Sequence, residues 1–197
     1  MDKIVKYVPN FLTMLNMLLG FTSIQLLIRD AYPQNALIIA ALILLGGIID
    51  FFDGYIARKF NAVSNMGKQL DSFADLITFG IAPSCLAYYM APHEYSLPVA
   101  ISCGVFIMAG SYRLARYNIH DFNDYFMGLP ITSAGILLGV YCAAQTHWGI
   151  YHQSSIWAII TTIFIFLLSI MMVSKVKIKR LHIRKIANVG SGDGRSH

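Results

Sequence analysis

Between Phe11 and Ser174 the chain carries six apolar runs, each about 18–25 residues long and separated from the next by a short polar turn. At 1.5 Å per residue a helix of that length crosses the roughly 30 Å of hydrocarbon in a bilayer. Lipid offers no partner to a backbone amide, so such runs must satisfy their own hydrogen bonds as helices. The pattern therefore predicts an all-α integral membrane protein of six transmembrane helices, preceded by a short juxtamembrane segment, Met1 to Pro9, at the headgroup level. Spans are expected at about Phe11–Ile28, Ala36–Phe60, Gly67–Met90, Leu97–Ile119, Leu129–Thr146 and Ser155–Ser174.

Composition excludes the alternative of a soluble domain. Charged residues make up 13% of the chain and apolar residues 56%, whereas about a quarter of a soluble domain is charged. Residues 1–185 are read as a single membrane domain and 186–197 as a flexible tail. The net charge of +5 points to an anionic membrane lipid rather than nucleic acid, because the cations lie in short loops and in the tail S-K-V-K-I-K-R-L-H-I-R-K. Those cations also set the orientation. Lys3, Lys6, Arg58, Lys59, Lys68, Arg113, Arg116 and the tail fall on one side, which places both termini in the cytoplasm. The N-terminus lacks the small-residue cleavage pattern of a leader, so the first span is expected to stay as an anchor. Cys85, Cys103 and Cys142 stand singly in apolar runs, without metal or redox spacing, and none of the scattered histidines is assigned to a metal.

Against this background the stretch from Asp50 to Asp75 stands out, because it holds four of the ten acidic residues at the ends of two adjoining spans. On a helix, Asp50, Asp53, Gly54, Ala57 and Arg58 fall within about 140° of one another and share a face, which Gly46 and Gly47 extend. On the next span Gly67, Asp71 and Asp75 follow at four-residue steps. Two carboxylate pairs can thus face each other across antiparallel helices. Each carboxylate would cost on the order of 3 kcal/mol at full membrane depth. Divalent cations offset that cost best, and hard oxygen ligands suit Mg²⁺ or Mn²⁺. Two such ions would clamp a diphosphate, and a carboxylate they leave unsaturated could take the proton of an attacking hydroxyl. The structural alternative has these acids capping helices or pairing with Arg58, Lys59 and Lys68, and the matched faces weigh against it.

Asp50-x2-Asp53-Gly54-x2-Ala57-Arg58-x8-Gly67-x3-Asp71-x3-Asp75 resembles the full signature of the CDP-alcohol phosphatidyltransferases, with all eight fixed positions present. The runs D-S-F-A-D-L-I-T-F-G-I-A-P, G-S-Y-R-L-A-R-Y-N and F-M-G-L-P are similar to those of the integral-membrane phosphatidylserine synthases. The resemblance implies transfer of a phosphatidyl group from CDP-diacylglycerol to L-serine with release of CMP. It also implies that Asp50, Asp53, Asp71 and Asp75 bind two divalent ions and that Asp75 is the general base. Gly54, Ala57, Arg58 and Gly67 would then bind the CDP-lipid, and a homodimer with a cytoplasmic active site is expected.

Other residues are weaker candidates. Arg113 and Arg116 could hold a serine carboxylate or lipid phosphate, or simply anchor a span. Asn10, Thr13 and Asn16, on one stripe of span one with Gly20, could contact the nucleotide or hydrogen-bond between helices. Asn118 and the loop Asp121 to Asp124 read as solvated, and Pro130 as a helix start. Other acceptors, glycerol 3-phosphate or an inositol phosphate, and an archaeal ether-lipid donor remain open. A divalent-cation transporter is the alternative of another class, and it would not require the Gly54, Ala57, Arg58 and Gly67 pattern.

Overall fold

A computed structural model describes residues 8–29, 34–60, 62–119, 125–149, 155–174 and 177–179. Of the expected juxtamembrane segment Met1 to Pro9, residues 1–7 lie outside them and Val8 and Pro9 instead open the first helix; the loop Asp121 to Asp124 and the tail from residue 180 also lie outside. The described residues form six helical rods. Rods one and two are α1 (Val8–Arg29) and α2 (Gln34–Lys59). The third begins as α3 (Asn65–Asp75), passes through a π-helical segment (Leu76–Ile81) and ends as α4 (Ala82–Tyr89). Then come α5 (Ser96–Ile119), α6 (Ile131–His147) and α7 (Ser155–Val173).

Five of these rods are long and apolar enough to cross a membrane. The sixth, α6, has 17 residues, about 25 Å, because Pro130 stands at its N-cap and the chain before it is not helical. The described residues are helical almost throughout, as the all-α expectation requires, with one small addition. Tyr125–Met127 (β1) pairs antiparallel with Lys177–Lys179 (β2), so a small ribbon joins the chain before α6 to the chain after α7. Gly128 makes the turn possible: its φ of +72° suits glycine, and a side chain there would strike the Met172 carbonyl. The Leu129 amide donates to Met171 O at 3.0 Å beside it. Turn and ribbon together clip the start of α6 to the end of α7.

The bundle is apolar outside and mixed within, as a bilayer demands. Along α1 the buried residues are Pro9, Thr13, Asn16, Gly20 and Ser23, whereas Phe11, Met14, Leu18 and Ile28 are exposed. Small and polar residues on the packed face let helices approach and bond to one another in lipid. The third rod occupies the centre, since 56% of its span is buried against 22% for α1. Phe79, Leu86, Phe106, Ile131, Leu138 and Met172 fill the core around it.

Two glycines fix how tightly the flanking helices grip the π segment. A Cβ on Gly20 of α1 would overlap Thr78, and one on Gly135 of α6 would overlap the Phe79 backbone. On α7's side the contact is polar: Gln145 Nε2 donates to Tyr141 Oη at 2.7 Å and to Thr161 Oγ1 at 3.2 Å.

Gly135→Val should therefore push α6 off the third rod, an overpacking cost of about 1–3 kcal/mol. The thermal midpoint in detergent is expected to fall by several degrees. An unchanged midpoint would mean that the two rods do not meet at Gly135.

Candidate active site

The local sequence explains how each acid reaches its place. On α2 the step from Asp50 to Asp53 keeps both on the face toward α1 and the third rod, and Asp53 is only 4% exposed. Its carboxylate accepts a hydrogen bond from Thr13 Oγ1 of α1 at 2.8 Å. The Asp50 carboxylate accepts a long hydrogen bond, 3.5 Å, from Thr132 Oγ1 near the start of α6. On the third rod Asp71 and Asp75 lie one turn apart just ahead of the π segment, and Asp75 is buried. Asp75 sits against Asp50.

Carboxylate oxygens of Asp50, Asp53 and Asp71 all lie within 4.8 Å of one another. Oxygens on opposite sides of a divalent ion are separated by about 4.2–5 Å, so the spacing fits one. Asp75 adds a fourth carboxylate whose Oδ1 is buried and has no hydrogen-bond partner among the described residues. The donor set is all hard oxygen, the type that suits Mg²⁺ or Mn²⁺.

Beside the acids opens a cleft of about 290 Å³ lined by residues of α1, α2 and α3. It brings together Asn10, Thr13, Asp53, Gly54, Ala57, Arg58, Gly67 and Asp71, which the sequence reading had named from three separate segments. Glycine at 54 leaves the Arg58 guanidinium room to lie back along α2, where a Cβ would stand 3.3 Å from it. Gly67 likewise leaves space beside Asn10. Asn16 lines no part of the cleft and is fully buried one turn deeper.

Ser64 and Lys68 also line the cleft, and sequence reasoning had not singled them out as site residues. Ser64 is the N-cap of α3, accepting from the Gly67 amide at 3.0 Å. The S-N-M-G run carries that capping signal. The positive end of α3 thus opens onto the cleft together with Arg58 and Lys68, a setting that attracts phosphate. Thr132 was also missed, and 82 residues of chain separate it from Asp50 with no local pattern to connect them.

Arg113 and Arg116 stand apart from the cleft. Arg113 is 7% exposed, stacks on the Tyr117 ring at 4.6 Å, and lies close enough to Asp75 to feel its charge. Its Nε has no hydrogen-bond partner among the described residues. Arg116 sits over the Tyr112 ring at 5.9 Å. Such burial fits a ligand-binding cation better than a headgroup anchor. Asn118, read as solvated, reaches Ser72 Oγ at 2.9 Å and ties α5 to α3.

Fold and site describe a helical bundle with five rods apolar enough to cross a membrane, and at one end a carboxylate cluster whose spacing suits a divalent cation beside a cleft lined by Arg58 and Lys68. Residues 6–188 match the model of the CDP-alcohol phosphatidyltransferase family, and the chain belongs to that family. It is 37% identical over 191 residues to the CDP-diacylglycerol–serine O-phosphatidyltransferase of Bacillus subtilis, an alignment spanning 95% of this chain and 98% of the relative. The Methanocaldococcus jannaschii protein of the same name is 33% identical over 86% of this chain and 72% of its own. The Saccharomyces cerevisiae one is 36% identical over 71% and 55%.

Asp53→Ala should weaken Mn²⁺ binding to the substrate-free protein, read by electron paramagnetic resonance, by more than about tenfold, since losing even an outer-shell partner can cost that much. Unchanged affinity would remove Asp53 from the ligand set.

Proposed function

We propose that this protein is a phosphatidylserine synthase, transferring the phosphatidyl group of CDP-diacylglycerol to the hydroxyl of L-serine and releasing CMP. The observation that carries this reading is the juxtaposition of a carboxylate cluster with a cation-lined cleft at a helix N-terminus. Three relatives bearing that activity in their names support it.

The residues divide the work between two sides of the acid cluster. On the cleft side, Arg58, Lys68 and the first turn of α3 bind the diphosphate, while Asn10, Thr13, Gly54, Ala57 and Gly67 shape the space for the nucleotide. Two divalent ions, Mg²⁺ or Mn²⁺, held by Asp50, Asp53, Asp71 and Asp75, would supply the positive charge that offsets the diphosphate and the departing CMP. On the other side, Arg113 offers a cation to the serine carboxylate, and Arg116 stands one turn away. Asp75, between the two, takes the serine hydroxyl proton. The freed oxygen then forms a bond to the phosphatidyl phosphorus, and the phosphorus–oxygen bond to CMP breaks. Direct displacement suffices, because among the described residues no Ser, Cys or His belongs to the acid cluster.

The same reading has all six rods spanning the membrane, with both termini and the site in the cytoplasm. It has a homodimer as the assembly, and the basic tail resting on anionic lipid.

Purified protein supplied with CDP-diacylglycerol, Mn²⁺ and a panel of alcohols tests the reaction through CMP release. Release with serine is expected. Release only with glycerol 3-phosphate or an inositol phosphate would reassign the acceptor, and no release with any alcohol would favour an ion-transport role. Arg113→Ala should raise the KM for serine by about tenfold or more, the size of one lost charge-assisted hydrogen bond, and leave that for CDP-diacylglycerol nearly unchanged. Equal effects on both would take Arg113 out of the acceptor site.

A further inference from the structure

Asn16 is fully buried, yet neither its Nδ2 nor its Oδ1 has a hydrogen-bond partner among the described residues. Thr78 does not occupy the amide, since its hydroxyl donates instead to the Asn16 backbone carbonyl at 2.9 Å. The amide has a place made for it on α2: a Cβ on Gly46 would stand 2.8 Å from Asn16 Oδ1. A buried, unsatisfied amide is costly and therefore uncommon.

Three elements agree on what lies next to it. Asn16 is one turn along α1 from Thr13, which bonds to Asp53. Gly46 is one turn along α2 from Asp50, and Thr78 follows Asp75 by three residues. Helical side chains tilt toward their own N-terminus, which on α1 is the direction of Thr13 and the carboxylates. Of the acid oxygens, only Asp75 Oδ1 is both buried and without a partner among the described residues.

We propose that Asn16 is a positioning residue for Asp75, its Nδ2 donating to one bound water that in turn donates to Asp75 Oδ1. A buried water of this kind bridges polar groups that protein alone leaves unpaired. Asp75 is then held in one rotamer, so that its other oxygen faces the incoming hydroxyl. The inference rests on Asp75 acting as the base.

Asn16→Leu, similar in size and free of the unpaired amide, tests it. The thermal midpoint should be no lower than that of the unaltered protein. CMP release should show kcat reduced about tenfold or more, with the KM for CDP-diacylglycerol within about twofold, the pattern of a misplaced proton acceptor rather than lost substrate binding. Mn²⁺ affinity of the substrate-free protein should fall about threefold or more as the carboxylate loses its orientation. A kcat within about twofold of the unaltered value would overturn the proposal, and so would a KM rising with kcat intact, the mark of a nucleotide contact. If Asn16→Leu does not fold, Asn16→Ser and Asn16→Ala decide. Serine keeps a hydroxyl for the water and should turn over about fivefold faster or more, and equal rates would overturn the proposal. Full turnover by Asp75→Asn would instead remove the assignment of the base, and this inference with it.

Discussion

Like charge is what the bundle has to overcome. Carboxylates with oxygens within 4.8 Å of one another repel by on the order of 3 kcal/mol per pair when both are charged, at an effective dielectric of about 20, and nothing in the acids themselves holds them together. The packing behind them does. Gly20 and Gly135 grip the π segment from α1 and α6, and the clip of Gly128 against the end of α7 steadies the start of α6. These contacts lie deeper in the bundle or beyond the acids in sequence, so small-residue packing holds the helices that carry the cluster in place.

The π segment sits where that demand is greatest. It begins at the residue after Asp75 and carries Thr78 and Phe79, the two residues that the flanking glycines meet. A wider turn changes the phase of the rod, so that Asp71 and Asp75 can face α2 below it while Ala82 and Leu86 face the core above it. Wide turns of this kind recur at functional sites. The acids are not placed alike: Asp53 and Asp71 line the cleft, while Asp50 reaches Thr132 and Asp75 is buried against Asp50.

Much of this was legible beforehand. Apolar runs of membrane length located all six rods to within a few residues, because lipid leaves a backbone no other choice. Spacing in the Asp50 to Asp75 stretch anticipated that Asp50, Asp53 and Asp71 would meet across two helices, since helical phase is simple arithmetic over one or two turns. The stripe of Thr13, Asn16 and Gly20 also turned inward as its polarity required. What escaped was nonlocal or non-helical. The ribbon of Tyr125–Met127 with Lys177–Lys179 joins segments some fifty residues apart, and neither is long enough to show a strand pattern alone. The π segment has no residue signature, being imposed by neighbours on both sides.

By itself, then, the sequence determined a membrane bundle, the helices that carry the acids and the oxygen-ligand chemistry those acids favour, because each follows from hydropathy and helical phase within a single run. Tertiary structure decided which acids line the cleft, that Arg113 is buried, and that Asn16 is buried outside the cleft. Those outcomes depend on the distance and rotation between helices, which are set by where a glycine lets two backbones meet, and no single run contains that information.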